Sequence, residues 1–164
     1  MNGVRAVVAA AGVALLISPA AAAVADQPPA NTFLAVLSAD EEVPHCPTAT
    51  NAARGLAVFH VVDEATGEVS YRLVANNLPG DIIAAHIHLA PVGVAGPVVQ
   101  PLALTPGAEN GVIGEGSFTN LALATAIRAN AQGYYVNVHT APPGVGCPSG
   151  VIRGQLGDRG PLNN

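Results

Sequence analysis

Apolar and polar positions alternate along this chain in short runs separated by turn residues, a period of two that predicts β-strands. The clearest run is 68–74, where Val69, Tyr71 and Leu73 oppose Ser70 and Arg72. In 54–62, Gly55, Ala57, Phe59 and Val61 alternate with Leu56, Val58, His60 and Val62. Both sets are largely apolar, so the period leaves the buried face of that strand open. Further strands are predicted at 32–37, 82–89, 98–104, 112–118, 133–139 and 151–156. Pro101 suits 98–104 to a sheet edge, because proline has no N–H for a second neighbour. Gly114 and Gly116 weaken 112–118. Turns are marked at 63–67, at 76–81 with Pro79-Gly80, and at the Gly/Pro segment 90–97. Only 120–131 combines Ala and Leu with no Pro or Gly, which predicts one short helix capped by Thr119 or Asn120. About eight short strands and one helix imply a single all-β domain, an antiparallel sandwich or barrel, over 32–156.

The first 25 residues read differently. Arg5 supplies a positive start, 6–17 is apolar, and Ser18-Pro19 leads into an Ala-rich run ending at Ala25. That is the layout of a secretory signal peptide, with cleavage expected after Ala23 or Ala25 and the latter preferred. The apolar stretch is too short to span a bilayer, so the mature chain is expected to have no stable membrane insertion. Residues 157–164 read as a polar C-terminal tail. An extracytoplasmic, secreted product follows.

Charge narrows the partners. All six basic residues are arginine, and outside the leader five of them face eleven acidic residues, a net of −6. Nucleic acid and anionic membranes attract basic patches, so neither is expected as a partner. The run Asp40-Glu41-Glu42 reads as a solvated face.

Two cysteines, Cys46 and Cys147, each sit in a Pro-bearing loop. An even count in an exported chain predicts a disulfide; two metal-binding thiolates are the other reading. The bond would close a loop of about 100 residues, worth up to ~4–5 kcal/mol through the entropy of the unfolded chain.

The chemistry lies with the histidines. Residues i and i+2 of a strand share a face, so His86 and His88 project together, as do Tyr135, Asn137 and His139. If the two strands are neighbours, His86, His88 and His139 form a three-histidine site suited to copper or zinc. The other reading is a hydrogen-bonded polar layer with Tyr135, Asn137 and Gln155 as the histidines' partners. Arg153 shares a face with Gln155 and would either draw an anion toward the histidines or pair with Glu68 or Asp81. His45 and His60 are isolated and read as surface or loop residues. No nucleophile elbow, phosphate loop or zinc-protease helix is present, so no catalytic residue is assigned.

In order and spacing the chain resembles the CHRD (chordin-type) domain, in particular that of bacterial secreted proteins. The segments that carry the likeness are Glu42-Val43-Pro44, Gly55-Leu56-Ala57-Val58-Phe59, Val69-Ser70-Tyr71-Arg72-Leu73 and Ala85-His86-Ile87-His88. They continue in Gly93-Val94-Ala95-Gly96-Pro97, Gly133-Tyr134-Tyr135-Val136-Asn137-Val138-His139-Thr140 and Gly150-Val151-Ile152-Arg153-Gly154-Gln155-Leu156. The resemblance implies an immunoglobulin-like Greek-key β-sandwich with distant similarity to copper/zinc superoxide dismutases. Those enzymes also carry His-x-His on one strand, a histidine on a late strand, and a disulfide from a loop to the last strand region. His86, His88, His139 and the pair Cys46 and Cys147 fit that outline.

Two functions are therefore expected of the chain. One is an extracytoplasmic binding or structural module that meets a partner through its loops. The other is a copper- or zinc-binding protein using the three histidines, with redox activity of the superoxide-dismutase kind as its strongest form.

Overall fold

The computed structural model describes residues 30–141 and 146–157. The expected leader and residues 158–164 of the tail lie outside the described residues. Eight strands form: β1 (Thr32–Ser38), β2 (Arg54–Asp63), β3 (Glu68–Asn76), β4 (Ile82–Leu89), β5 (Val98–Leu102), β6 (Gly111–Thr119), β7 (Tyr134–Thr140) and β8 (Ile152–Gln155). One helix, α1 (Leu121–Ala129), lies between β6 and β7.

Every neighbouring pair is antiparallel, in the order β5-β4-β7-β8-β1-β2-β3-β6. The strands make one continuous sheet that curls nearly into a barrel. Its two ends approach each other: Thr105 N–H donates to the Ile113 carbonyl at 2.8 Å, and the Tyr71 hydroxyl donates to the Ala103 carbonyl at 3.0 Å. The all-β antiparallel fold with one short helix is as the alternation predicts. Pro101 does lie on an end strand, β5, where its missing N–H interrupts no second ladder.

The register resolves the face that alternation left open in β2. Phe59 lies opposite Phe33 and Tyr71, and Ala57 opposite Ala35 and Leu73. The set Ala57, Phe59 and Val61 therefore turns inward, and Leu56, His60 and Val62 are exposed. Phe59, Tyr71 and Phe118 follow one another inside, with ring centroids 6.1 and 6.3 Å apart. Across the sheet Ala85, Ile87, Val136, Val138 and Ile152 complete the same core. Fully burying one large apolar side chain of this kind stabilises the fold by about 1.5–3 kcal/mol.

Asn120 caps α1, its side-chain oxygen accepting the Leu123 N–H at 3.1 Å. Leu123, Ala124 and Ile127 form the helix's buried stripe. The helix stops at Ala129, short of the predicted 131, where Asn130 leaves helical dihedrals at φ −157°. Among the described residues no helix is long and apolar enough to cross a membrane.

Cys46 and Cys147 form a disulfide that ties the β1–β2 loop to the loop preceding β8. No cysteine is free, so the thiolate reading falls.

Candidate metal centre

β4 and β7 are neighbours, and their register decides which side chains meet. Ala84 lies opposite His139, His86 opposite Asn137, and His88 opposite Tyr135. On the far side of β7, Asn137 faces Arg153 and Tyr135 faces Gln155 of β8. Because directly opposed residues share a face, the sequence's polar set gathers on one outer face of the sheet. The intervening Ala85, Ile87, Val136 and Val138 point into the core. Loop 90–97 and loop 146–150 cover this outer face, and Arg153, Gln155 and Asn137 beneath them are buried.

The three histidines converge. One nitrogen of each of His86, His88 and His139 lies within 4.8 Å of the others. The closest approach is His86 Nδ1 to His139 Nε2, at 3.1 Å. His88 and His139 are 7% and 8% exposed, whereas His86 is only half-buried, so solvent reaches the centre beside His86.

Hydrogen bonds fix the tautomers. His88 Nδ1 lies 2.9 Å from the Gly96 carbonyl, and His139 Nδ1 lies 2.9 Å from the Pro148 carbonyl. A carbonyl oxygen only accepts, so both Nδ1 atoms carry the proton and both Nε2 atoms present a lone pair. His88 Nε2 is buried with no hydrogen-bond partner. His86 Nδ1 donates to His139 Nε2, or presents its own lone pair when the proton sits on Nε2.

Electrostatics keep the rings neutral. Burial, helped by the neighbouring His139 and His88, pulls His86 from 6.5 to about 4. Burial also lowers His88 and His139, partly offset by the Gly96 and Pro148 carbonyls; His139 and Arg153 add to the lowering at His88. Neutral imidazole is the metal-binding form. Three such nitrogens without a carboxylate suit copper or zinc and not the hard cations calcium and magnesium, which take oxygen ligands.

The surrounding polar residues do something other than expected. Neither Tyr135, Asn137 nor Gln155 hydrogen-bonds a histidine. The Tyr135 ring stacks on His88, centroids 4.7 Å apart and planes 15° apart. Gln155 donates to the Ala90 and Gln132 carbonyls, each at 2.7 Å. Arg153 pairs with neither Glu68 nor Asp81, and it is buried, 1% exposed. Its guanidinium donates to the Val94 and Pro91 carbonyls at 2.8 and 2.9 Å and lies 3.5 Å over the Tyr135 ring. Strand periodicity identified these residues but not their partners, which come from a loop distant in sequence.

Glu42 was missed. Asp40 and Glu41 are exposed as a solvated run requires, but Glu42 is buried. Its Oε1 accepts from the Val43 N–H at 3.1 Å and the Asn137 amide at 3.0 Å. Its Oε2 and the Asn137 Oδ1 are both buried without a partner. Burial raises its pKa from 4.5 to about 7, against the opposing pull of Val43, Asn137, Arg153 and His45. Gly150 seals the pocket with φ +134°, and a Cβ there would meet Glu42 Oε2 at 2.5 Å. The available sequence signal was the step from an acidic run directly into Val43-Pro44.

No curated protein and no solved structure matches the chain. The CHRD domain family model matches residues 33–156, a span that contains the three histidines, Glu42, both cysteines and nearly every strand residue. On that match the chain belongs to the CHRD domain family.

Proposed function

We propose that this protein is an extracytoplasmic CHRD-type binding module whose ligand is a transition-metal ion, copper or zinc, held by His86, His88 and His139. The observation that carries the reading is the convergence of three neutral imidazoles, two of them with Nδ1–H fixed on backbone carbonyls. Rings oriented in this way need little rearrangement to bind, and hydrogen bonding of the outer nitrogen raises the basicity of the ligating one. A bound ion would meet a fourth ligand from solvent beside His86. Superoxide dismutation at copper is the strongest form of this reading and depends on the same three residues. The disulfide and the signal-like leader support an oxidising compartment outside the cytoplasm.

Metal analysis of the natively exported protein is expected to find close to one equivalent of copper or zinc. His88→Ala should abolish it with the fold retained. Metal content that survives this substitution places the ion elsewhere and rejects the site.

A further inference from the structure

Loop 90–97 is more than a cover. It leaves β4 immediately after the ligand strand and returns to it, Leu89 N–H donating to the Pro97 carbonyl at 3.0 Å. Between those points the backbone of four of its residues is gripped from below. Gln155 takes the Ala90 carbonyl, and the two arms of Arg153 take Pro91 and Val94. Tyr135 takes Gly96: the Gly96 N–H donates to the hydroxyl at 3.1 Å, and the hydroxyl lies 3.4 Å from the Gly96 carbonyl. That same carbonyl accepts His88 Nδ1–H. The stack of Arg153 on Tyr135 on His88 closes the circuit. Gly96 is confined as well, since a Cβ there would collide with the Leu89 carbonyl and lie 2.8 Å from the Ala90 Cβ.

We infer that Arg153 and Tyr135 are positioning residues of the histidine centre, which clamp loop 90–97 so that Gly96 fixes the plane and tautomer of His88. The inference rests on the metal reading for its purpose but not for its geometry. Arg153 is suited to the task because its planar fork spans two carbonyls at once, and lysine would reach them only as a point charge. Its charge has no carboxylate partner within salt-bridge distance among the described residues, so holding the loop and the Tyr135 ring is what its burial accomplishes.

The test uses Tyr135→Phe, which keeps the ring stack and removes both Gly96 contacts, and Arg153→Lys, which keeps the charge and loses the fork. Val61→Ala, a core truncation on β2, controls for lost stability alone. Long-range ¹H–¹⁵N NMR of the metal-free proteins reads the tautomer of His88, and cobalt(II) titration reads site affinity and visible spectrum. Wild type and Val61→Ala should show His88 protonated at Nδ1. Tyr135→Phe and Arg153→Lys should show mixed tautomers, an altered cobalt spectrum, and affinity lower by about tenfold or more, the usual effect of removing a group that orients a metal ligand. Unchanged tautomer and unchanged affinity in both variants overturn the inference. A wild type that binds no cobalt rejects the metal reading instead, and the tautomer measurement still decides the clamp.

Discussion

His139 Nδ1 lies 2.9 Å from the carbonyl of Pro148, the residue next to the disulfide-bonded Cys147. The acceptor that orients one histidine is thus tethered, through one peptide unit, to the bond that staples loop 146–150 to the β1–β2 loop. Thr140 reinforces the tether: its hydroxyl accepts the Cys147 N–H at 2.9 Å, and its own N–H donates to the Cys147 carbonyl at 3.2 Å.

Reduction should therefore act twice. The double variant Cys46→Ser, Cys147→Ser is expected to lose about 2–5 kcal/mol of stability, the usual cost of removing a native disulfide from a small exported domain. It should also bind metal more weakly than the oxidised protein, because Pro148 no longer holds His139. Denaturant unfolding and zinc titration of both forms measure the two effects. Equal zinc affinity would uncouple the bond from the site.

The metal-free protein should lose stability in acid through its histidines. Their folded pKa values lie below 6.5, so the unfolded chain takes up protons first as the pH falls. Stability is then lost from about pH 6.5 down toward 4, the value to which His86 is lowered. Replacing His86 with Gln should flatten this acid limb in urea unfolding at a series of pH values. Metal affinity should begin to fall at a lower pH than the 6.5 of an ordinary histidine, for the same reason.

Glu42 predicts an opposite slope, between about pH 4.5 and 7, which partly offsets that of the histidines. Its folded pKa, about 7, exceeds the ordinary 4.5, so the folded protein holds the proton more tightly. Its contribution is fully present below pH 4.5 and is lost as the pH rises through about 7. Protonation removes the charge from a carboxyl whose Oε2 is buried without a partner, the form that burial favours. Glu42→Gln should keep a neutral, hydrogen-bonding side chain and remove the decline in stability between about pH 4.5 and 7. A ¹³C carboxyl titration of Glu42 with a midpoint near an ordinary glutamate would refute the assignment.

Gly150→Ala should destabilise the domain by more than about 1 kcal/mol, since φ +134° strains any residue with a Cβ and the new methyl would enter the Glu42–Asn137 pocket. Thermal unfolding measures it. The effect should shrink in a Glu42→Ala background, which empties part of that pocket.

Local pattern made the strands and the shared faces legible. The alternation in 68–74, the Pro101 edge and the Asn120 cap each follow from the geometry of one segment, and the structure agrees with them. The His86/His88 and Tyr135/Asn137/His139 faces are equally local, because period two is a property of any strand. The inward face of β2 was not legible, since both of its faces are apolar and only pairing with Phe33 and Tyr71 selects Phe59.

What the sequence by itself determined, then, is the strand content, the family resemblance and which polar residues share a face. Tertiary structure alone decided that β4 and β7 are neighbours, which brings His139 to His86 and turns two separate motifs into one centre. It also decided the partners of Arg153 and the burial of Glu42. Both depend on loops folding back over the sheet from positions far along the chain. Side-chain period carries no information about such contacts, because they are set by register, loop closure and the need to satisfy each buried polar group.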